Sequence, residues 1–211
     1  TQNQAFSALL FLYRFVLRIE MSDPEEFVRA RRTRRLPVVL SRSEVQQVLA
    51  HIDATHHLVA TLLYGSGMRL MECLRLRVRD IDFERKQILI REGKGRKDRP
   101  ALLPRVAEVP LKAHLNIVRS YHANDLAAGE GRVRLPYAMS RKMPRAATQW
   151  KWQWVFPASK RSADPRTGEI HRHHLHATAI QRAVTLAGKR ACLTKRVTCH
   201  TLRHCFATHL L

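Results

Sequence analysis

Two short boxes stand far apart in this chain, and each sets a cation in an apolar frame. One is Gly65-Ser66-Gly67-Met68-Arg69-Leu70-Met71-Glu72; the other is His200-Thr201-Leu202-Arg203-His204. Between them lies a glycine-framed turn, Gly93-Lys94-Gly95-Arg96-Lys97-Asp98-Arg99. An arginine, a lysine and a His-x-x-Arg are the groups that bind and neutralise a phosphodiester during strand transfer. If they act on one phosphate, the fold has to bring three distant segments to one place.

The remaining composition fits such a partner. The net charge is +21, from 38 Lys plus Arg against 17 Asp plus Glu. A folded chain this basic is most simply explained by a polyanion, above all nucleic acid. The alternative is a generic basic module bound to RNA or ribosomes. With 45% apolar residues in 211, the chain can build one good core or two small ones. It is too rich in aliphatics and aromatics for a disordered tail. Cys73, Cys192, Cys199 and Cys205 form no Cys-x-x-Cys pair and match no zinc spacing. Buried, reduced thiols are therefore expected, and no metal. The absence of a signal peptide or an apolar spanning run points to a cytoplasmic protein.

Along the chain, Ala5 to Glu20 reads as a helix apolar on nearly every side, which has to be buried among partners. Arg29 to Arg35 holds five arginines in seven residues, a linker or arm suited to lie on phosphates. A new domain is expected near Pro37. Ser41-Arg42-Ser43-Glu44 is a capping box before Val45, Val48, Leu49 and Ile52. Leu58 to Tyr64 predicts a second helix, Arg69 to Leu76 a third, and Pro110 to Tyr121 a fourth. Gln87 to Arg91 and Ala101 to Leu103 predict two strands joined by the lysine turn. Trp150, Trp152 and Trp154 alternate, which puts them on one face if the segment is extended. Thr178 to Gly188 and His200 to Leu211 predict the last helices, with Phe206 and Leu210 anchoring the final one.

At the candidate site, Arg69 follows a glycine helix stop, and its guanidinium can fork two phosphate oxygens. Glu72, one turn later, either steadies that fork or makes a solvent-facing ion pair. Lys94 can protonate a leaving 5′-oxygen if Arg96, Lys97 and Arg99 lower its pKa. His200 and Arg203 lie one helical turn apart and can point at the same phosphate. Two arginines, a histidine and a lysine supply the positive charge that Mg²⁺ supplies elsewhere, so no cofactor or metal is required.

GSGMRLMECLRLRVRDID, REGKGRKDR and HTLRHCFATHLL together resemble the arginine box, the lysine hairpin and the His-x-x-Arg box of the tyrosine recombinases of the phage integrase family. Cys199 stands where that family often has proline. The resemblance runs from about Leu40 to Leu211. It implies an α+β, mostly helical catalytic domain with a small antiparallel sheet over 38–211. It also implies a remnant helix of a helical core-binding domain over 1–22 and a basic linker over 23–37. LPYAMSRKMPRAATQWKWQWVFPASKRSADPRTGEIHRHHLH resembles the added segment of integron integrases, at about 133–157.

Carried over, the resemblance makes Arg69 and Arg203 phosphate binders, Lys94 the general acid, His200 a proton-transfer group and Glu72 a support. It implies recombination of gene cassettes between folded single-stranded attC hairpins and duplex attI sites. It further implies a homotetramer on DNA when full length, a bacterial nucleoid location, and a part in horizontal gene transfer. Arg31, Arg32, Arg34, Arg35, Arg96, Lys97 and Arg99 would contact DNA. Trp150, Trp152, Trp154, His173 and His174 would stack on extrahelical bases, with at least one tryptophan kept for the core. A tyrosine would attack the phosphate, but Tyr13, Tyr64, Tyr121 and Tyr137 all precede the His-x-x-Arg box and match no nucleophile position. The expectation is therefore a fragment truncated at both ends that binds DNA without cleaving it. The alternative is a catalytically dead DNA-binding relic.

Overall fold

The computed structural model describes residues 2–19, 36–91, 97–136, 139–164 and 168–210. It divides into two compact units, residues 1–36 and 37–211. In the first, α1 (Gln2–Phe11) runs on as a π-helical turn over Leu12–Leu17. That turn closes at Arg18, which sits at φ 54 with its N–H on the Tyr13 carbonyl. None of these residues is buried, and Phe11, Phe15 and Val16 are mostly exposed. The predicted apolar helix is present, but its regular part is shorter than the sequence suggests.

The second unit is built around one central helix. The Ser41–Glu44 capping box opens α2 (Arg42–Ala50), whose Val45 and Val48 are buried. The chain then enters α3 (Ala54–Ser66), buried along most of its length through Leu58, Val59, Leu62 and Leu63. Of the two glycines expected to end this helix, Gly65 stays helical, and a Cβ on it would meet the Pro104 ring. Gly67 makes the stop. It adopts φ 63, a conformation L side chains avoid, and a Cβ there would enter the Phe206 ring.

From Gly67 the chain turns into the short α4 (Leu70–Leu74). A three-stranded antiparallel sheet follows: β1 (Ile81–Asp82), β2 (Gln87–Ile90) and β3 (Arg99–Leu102). Ile88 and Ile90 point into the core, as their alternation requires. α5 (Arg105–Ala127) extends well beyond the expected span at both ends and carries Pro110 inside it. α7 (Ala177–Arg190) and α8 (Cys199–His209) complete the main core, with α8 packed along α3.

Between α5 and α7 lies a second, smaller core of Val133, Leu135, Ala146, Ala147, Trp152 and Trp154. It is formed by the 133–135 segment, two 3₁₀ turns and Met139 of α6 (Met139–Lys142), and a separate two-stranded ribbon of β4 (Ser162–Ala163) and β5 (Ile170–His171) follows. Backbone bonds from Val78 N–H to Gln153 O (3.1 Å) and from Val155 N–H to Leu76 O (2.9 Å) tie it to the first core. Trp150–Trp152 is a 3₁₀ turn, not an extended strand, so the three indoles do not share a face.

Other expectations also change. Leu210 is 69% exposed and anchors nothing, whereas Phe206 packs on Gly67. Cys73, Cys199 and Cys205 are buried, but Cys192 is exposed at a turn with φ 53. Among the described residues, no helix is long and apolar enough to cross a membrane.

Candidate active site

Glu72 is the centre of the site. Its carboxylate is nearly buried and gathers arginines from separate segments. Arg69 donates twice: its backbone N–H to Oε2 (2.8 Å) and its Nη1 to Oε1 (2.6 Å). Arg99, the first residue of β3, donates Nη2 to Oε2 at 3.0 Å. Arg203, on α8, brings Nη1 to 3.8 Å from the same oxygen, too far for a hydrogen bond. That nitrogen is buried and, among the described residues, has no hydrogen-bond partner. An unsatisfied, buried, charged donor is costly, and a phosphate oxygen would satisfy it.

Two local devices place these groups. The Gly67 turn delivers Arg69 to the cap position of α4, and Glu72 closes the cap from three residues on. Thr198 caps α8 by accepting the Thr201 N–H at 3.2 Å, which sets the helix so that His200 and Arg203 lie one turn apart.

The electrostatics agree with this geometry. Burial alone would raise the pKa of Glu72 and is the largest influence on it. The Arg69 hydrogen bonds and the charges of Arg99 and Arg69 outweigh it and hold the carboxyl below its ordinary value. His200 is held below its ordinary value by burial, then by His204, Arg203 and Arg69. The His200 and His204 rings meet edge to face at 4.3 Å. Arg203 is lowered by burial and then by Arg69.

The structure thus brings Arg69, Glu72, His200 and Arg203 together and adds Arg99, which the sequence reading placed on DNA as part of the lysine turn. A period-two reading of β3 carries the signal for this. Arg99 shares a face with buried Ala101, opposite exposed Pro100 and Leu102. Lys97 is exposed. Lys94, Arg96, Arg31, Arg32, Arg34 and Arg35 lie outside the described residues.

A second basic region surrounds the tryptophans. A cavity of about 910 Å³ is lined by Trp154, His171, His173 and His174, with Arg75, Arg77, Arg132 and Arg134 around it. His173 is exposed, and its ring lies 4.1 Å from that of His174 and 6.1 Å from Trp154. Burial first, then neighbouring cations, lower the pKa of both histidines, so their rings are neutral at pH 7. Trp152 cannot serve as a stacking platform. It is 2% exposed, and the Arg79 guanidinium lies over its ring at 3.5 Å. Trp150 is half-buried against His122 and Arg119.

The Phage integrase family matches residues 38–211, and the chain belongs to that family. It is 46% identical over 211 residues to the "Integrase/recombinase" of Escherichia coli, covering 100% of this chain and 63% of that protein. It is 30% identical over 214 residues to "Tyrosine recombinase XerA" of Thermococcus onnurineus, covering 99% of this chain and 62% of the relative. The chain therefore spans less than two thirds of these relatives' length. Among solved structures it shares the fold of the XerH site-specific recombinase bound to its difH substrate. That match has a TM-score of 0.58 and 24% identity, and covers 96% of this chain and 51% of the other. The fold is that of the tyrosine-recombinase catalytic domain.

Proposed function

We propose that this chain is the phosphate-binding part of a site-specific tyrosine recombinase acting on integron cassettes. The observation that carries the reading is the Glu72 hub, with Arg69 ordered on it and Arg203 Nη1 beside it without a hydrogen bond. Arg69 and Arg203 hold the non-bridging oxygens of the scissile phosphate and stabilise the charge that builds on them. Lys94 gives a proton to the departing 5′-oxygen, and His200 shares in proton transfer. A tyrosine oxygen bonds to phosphorus as the P–O5′ bond breaks, so the bond energy is kept for religation without ATP.

Tyr64 and Tyr121 are not that nucleophile. The Tyr64 hydroxyl bonds His209 Nδ1 at 2.9 Å, and the Tyr121 ring lies against Arg172. Transfer of label from a nicked suicide substrate to Tyr64 or Tyr121 would overturn that exclusion.

The integron assignment rests on the segment between α5 and α7. In this proposal 1–22 is the end of a core-binding domain, 23–37 a DNA-contacting linker, and the full-length protein a tetramer on DNA in the bacterial nucleoid. Folded attC hairpins present extrahelical bases, and the cavity beside Trp154 offers an indole edge, two neutral imidazoles and a basic rim. The protein should bind a hairpin carrying extrahelical bases more tightly than the same hairpin with those bases deleted. His173→Ala should remove about 1–3 kcal/mol of that preference, the value of one stacked base. Equal affinity for both hairpins in the unmodified protein would leave a tyrosine recombinase without the integron specificity.

A further inference from the structure

We infer that Arg99 is a positioning residue that keeps Arg203 free for phosphate by occupying the Glu72 oxygen that Arg203 would otherwise take. The inference rests on the phosphate-site reading above and concerns a competition visible in the geometry. Glu72 Oε1 is taken by Arg69 Nη1 at 2.6 Å. Oε2 already accepts the Arg69 backbone N–H at 2.8 Å and Arg99 Nη2 at 3.0 Å. Arg203 Nη1 stands next in line at 3.8 Å, buried and, among the described residues, without a hydrogen bond.

A carboxylate oxygen has about two lone-pair directions, so with Arg99 in place Oε2 is saturated. Without Arg99, Arg203 needs to move less than 1 Å to reach hydrogen-bond distance. An arginine closed onto Glu72 would have to break that charge-assisted bond before it could bind phosphate. Arg99 reaches Glu72 from the first pair of the β2–β3 ladder, where it faces Ile90.

The test is a double-mutant cycle read by binding of inorganic phosphate, followed through the His200 ring signal in NMR. Arg99→Gln should weaken phosphate about tenfold, the scale of one charge-assisted hydrogen bond. Arg99→Lys, which can still fill Oε2, should recover most of the loss. In an E72Q background, where the carboxylate no longer attracts Arg203, R99Q should cost little. Arg85→Gln, on an exposed turn, is the control for the loss of one positive charge. If R99Q costs the same in both backgrounds, or no more than R85Q, Arg99 is only another cation and the inference fails. If Arg203→Gln leaves phosphate binding unchanged, the phosphate-site reading itself fails, and this inference with it.

Discussion

Arginine serves opposite ends in two regions of this molecule. In the tryptophan-lined region, Arg77 is 7% exposed and both of its terminal nitrogens bond backbone carbonyls. Nη1 bonds the Trp152 carbonyl at 2.6 Å, Nη2 bonds the Arg134 carbonyl at 2.8 Å, and the guanidinium lies 3.9 Å over the Trp154 ring. Burial drives its pKa down to about 10. In the Glu72 cluster, Arg203 is partly exposed and one of its buried nitrogens has no hydrogen bond. A saturated arginine holds chain segments together. On the proposed reading, an unsaturated one held near other cations is an anion site that costs stability until it is filled.

Two substitutions break this comparison most directly. Arg77→Ala should cost about 3–5 kcal/mol of folding stability, because it strands two carbonyls and uncovers an indole. Arg203→Ala should leave stability within about 1 kcal/mol of the parent, or raise it, since it removes a buried donor without a hydrogen bond among the described residues and relieves repulsion from Arg69 and Arg99. Its DNA affinity should fall by about tenfold or more. Urea unfolding and a DNA titration on both variants separate the cases. Two variants that lose stability equally would mean that the two arginines do the same work.

Gly67→Ala asks how far the Glu72 cluster depends on the seam between α3 and α8. The φ of 63 and the Phe206 ring together predict a loss of about 2–4 kcal/mol by thermal or chemical unfolding. A near-neutral result would show that the helix stop does not set the site.

The smallest effect expected is a pH dependence. His200 is held below its ordinary value near 6.5, so it is neutral at pH 7 and gains charge only at more acidic pH. Affinity for DNA should therefore rise as pH falls through that lowered pKa, and His200→Asn should flatten the rise. The sign for folding is opposite. The unfolded state takes the proton first, so this histidine lowers stability as pH drops below about 6.5.

Much of the fold can be read along the chain because its signals are local. The Ser41–Glu44 box, the alternation of Ile88 and Ile90, and the glycine stop before Arg69 each act within a few residues, and the elements form where those signals stand. Errors fall where packing overrides local preference. Gly65 stays helical against Pro104, α5 runs through Pro110, and the tryptophans curl into a 3₁₀ turn because their indoles find a core and arginine partners.

For the candidate site, the co-occurrence of the boxes and their resemblance to the family nominate Arg69, Glu72, His200 and Arg203, and one helical turn accounts for the pairing of Arg69 with Glu72. What sequence cannot express is competition. Whether Glu72 takes Arg99 or Arg203, and whether an exposed-looking tryptophan is a platform or a core side chain, depends on distances between segments that only the folded chain brings within hydrogen-bond range. Local periodicity governs which groups are offered on each face. Tertiary packing decides which of them are used up in holding the protein together and which, on the proposed reading, are left for DNA.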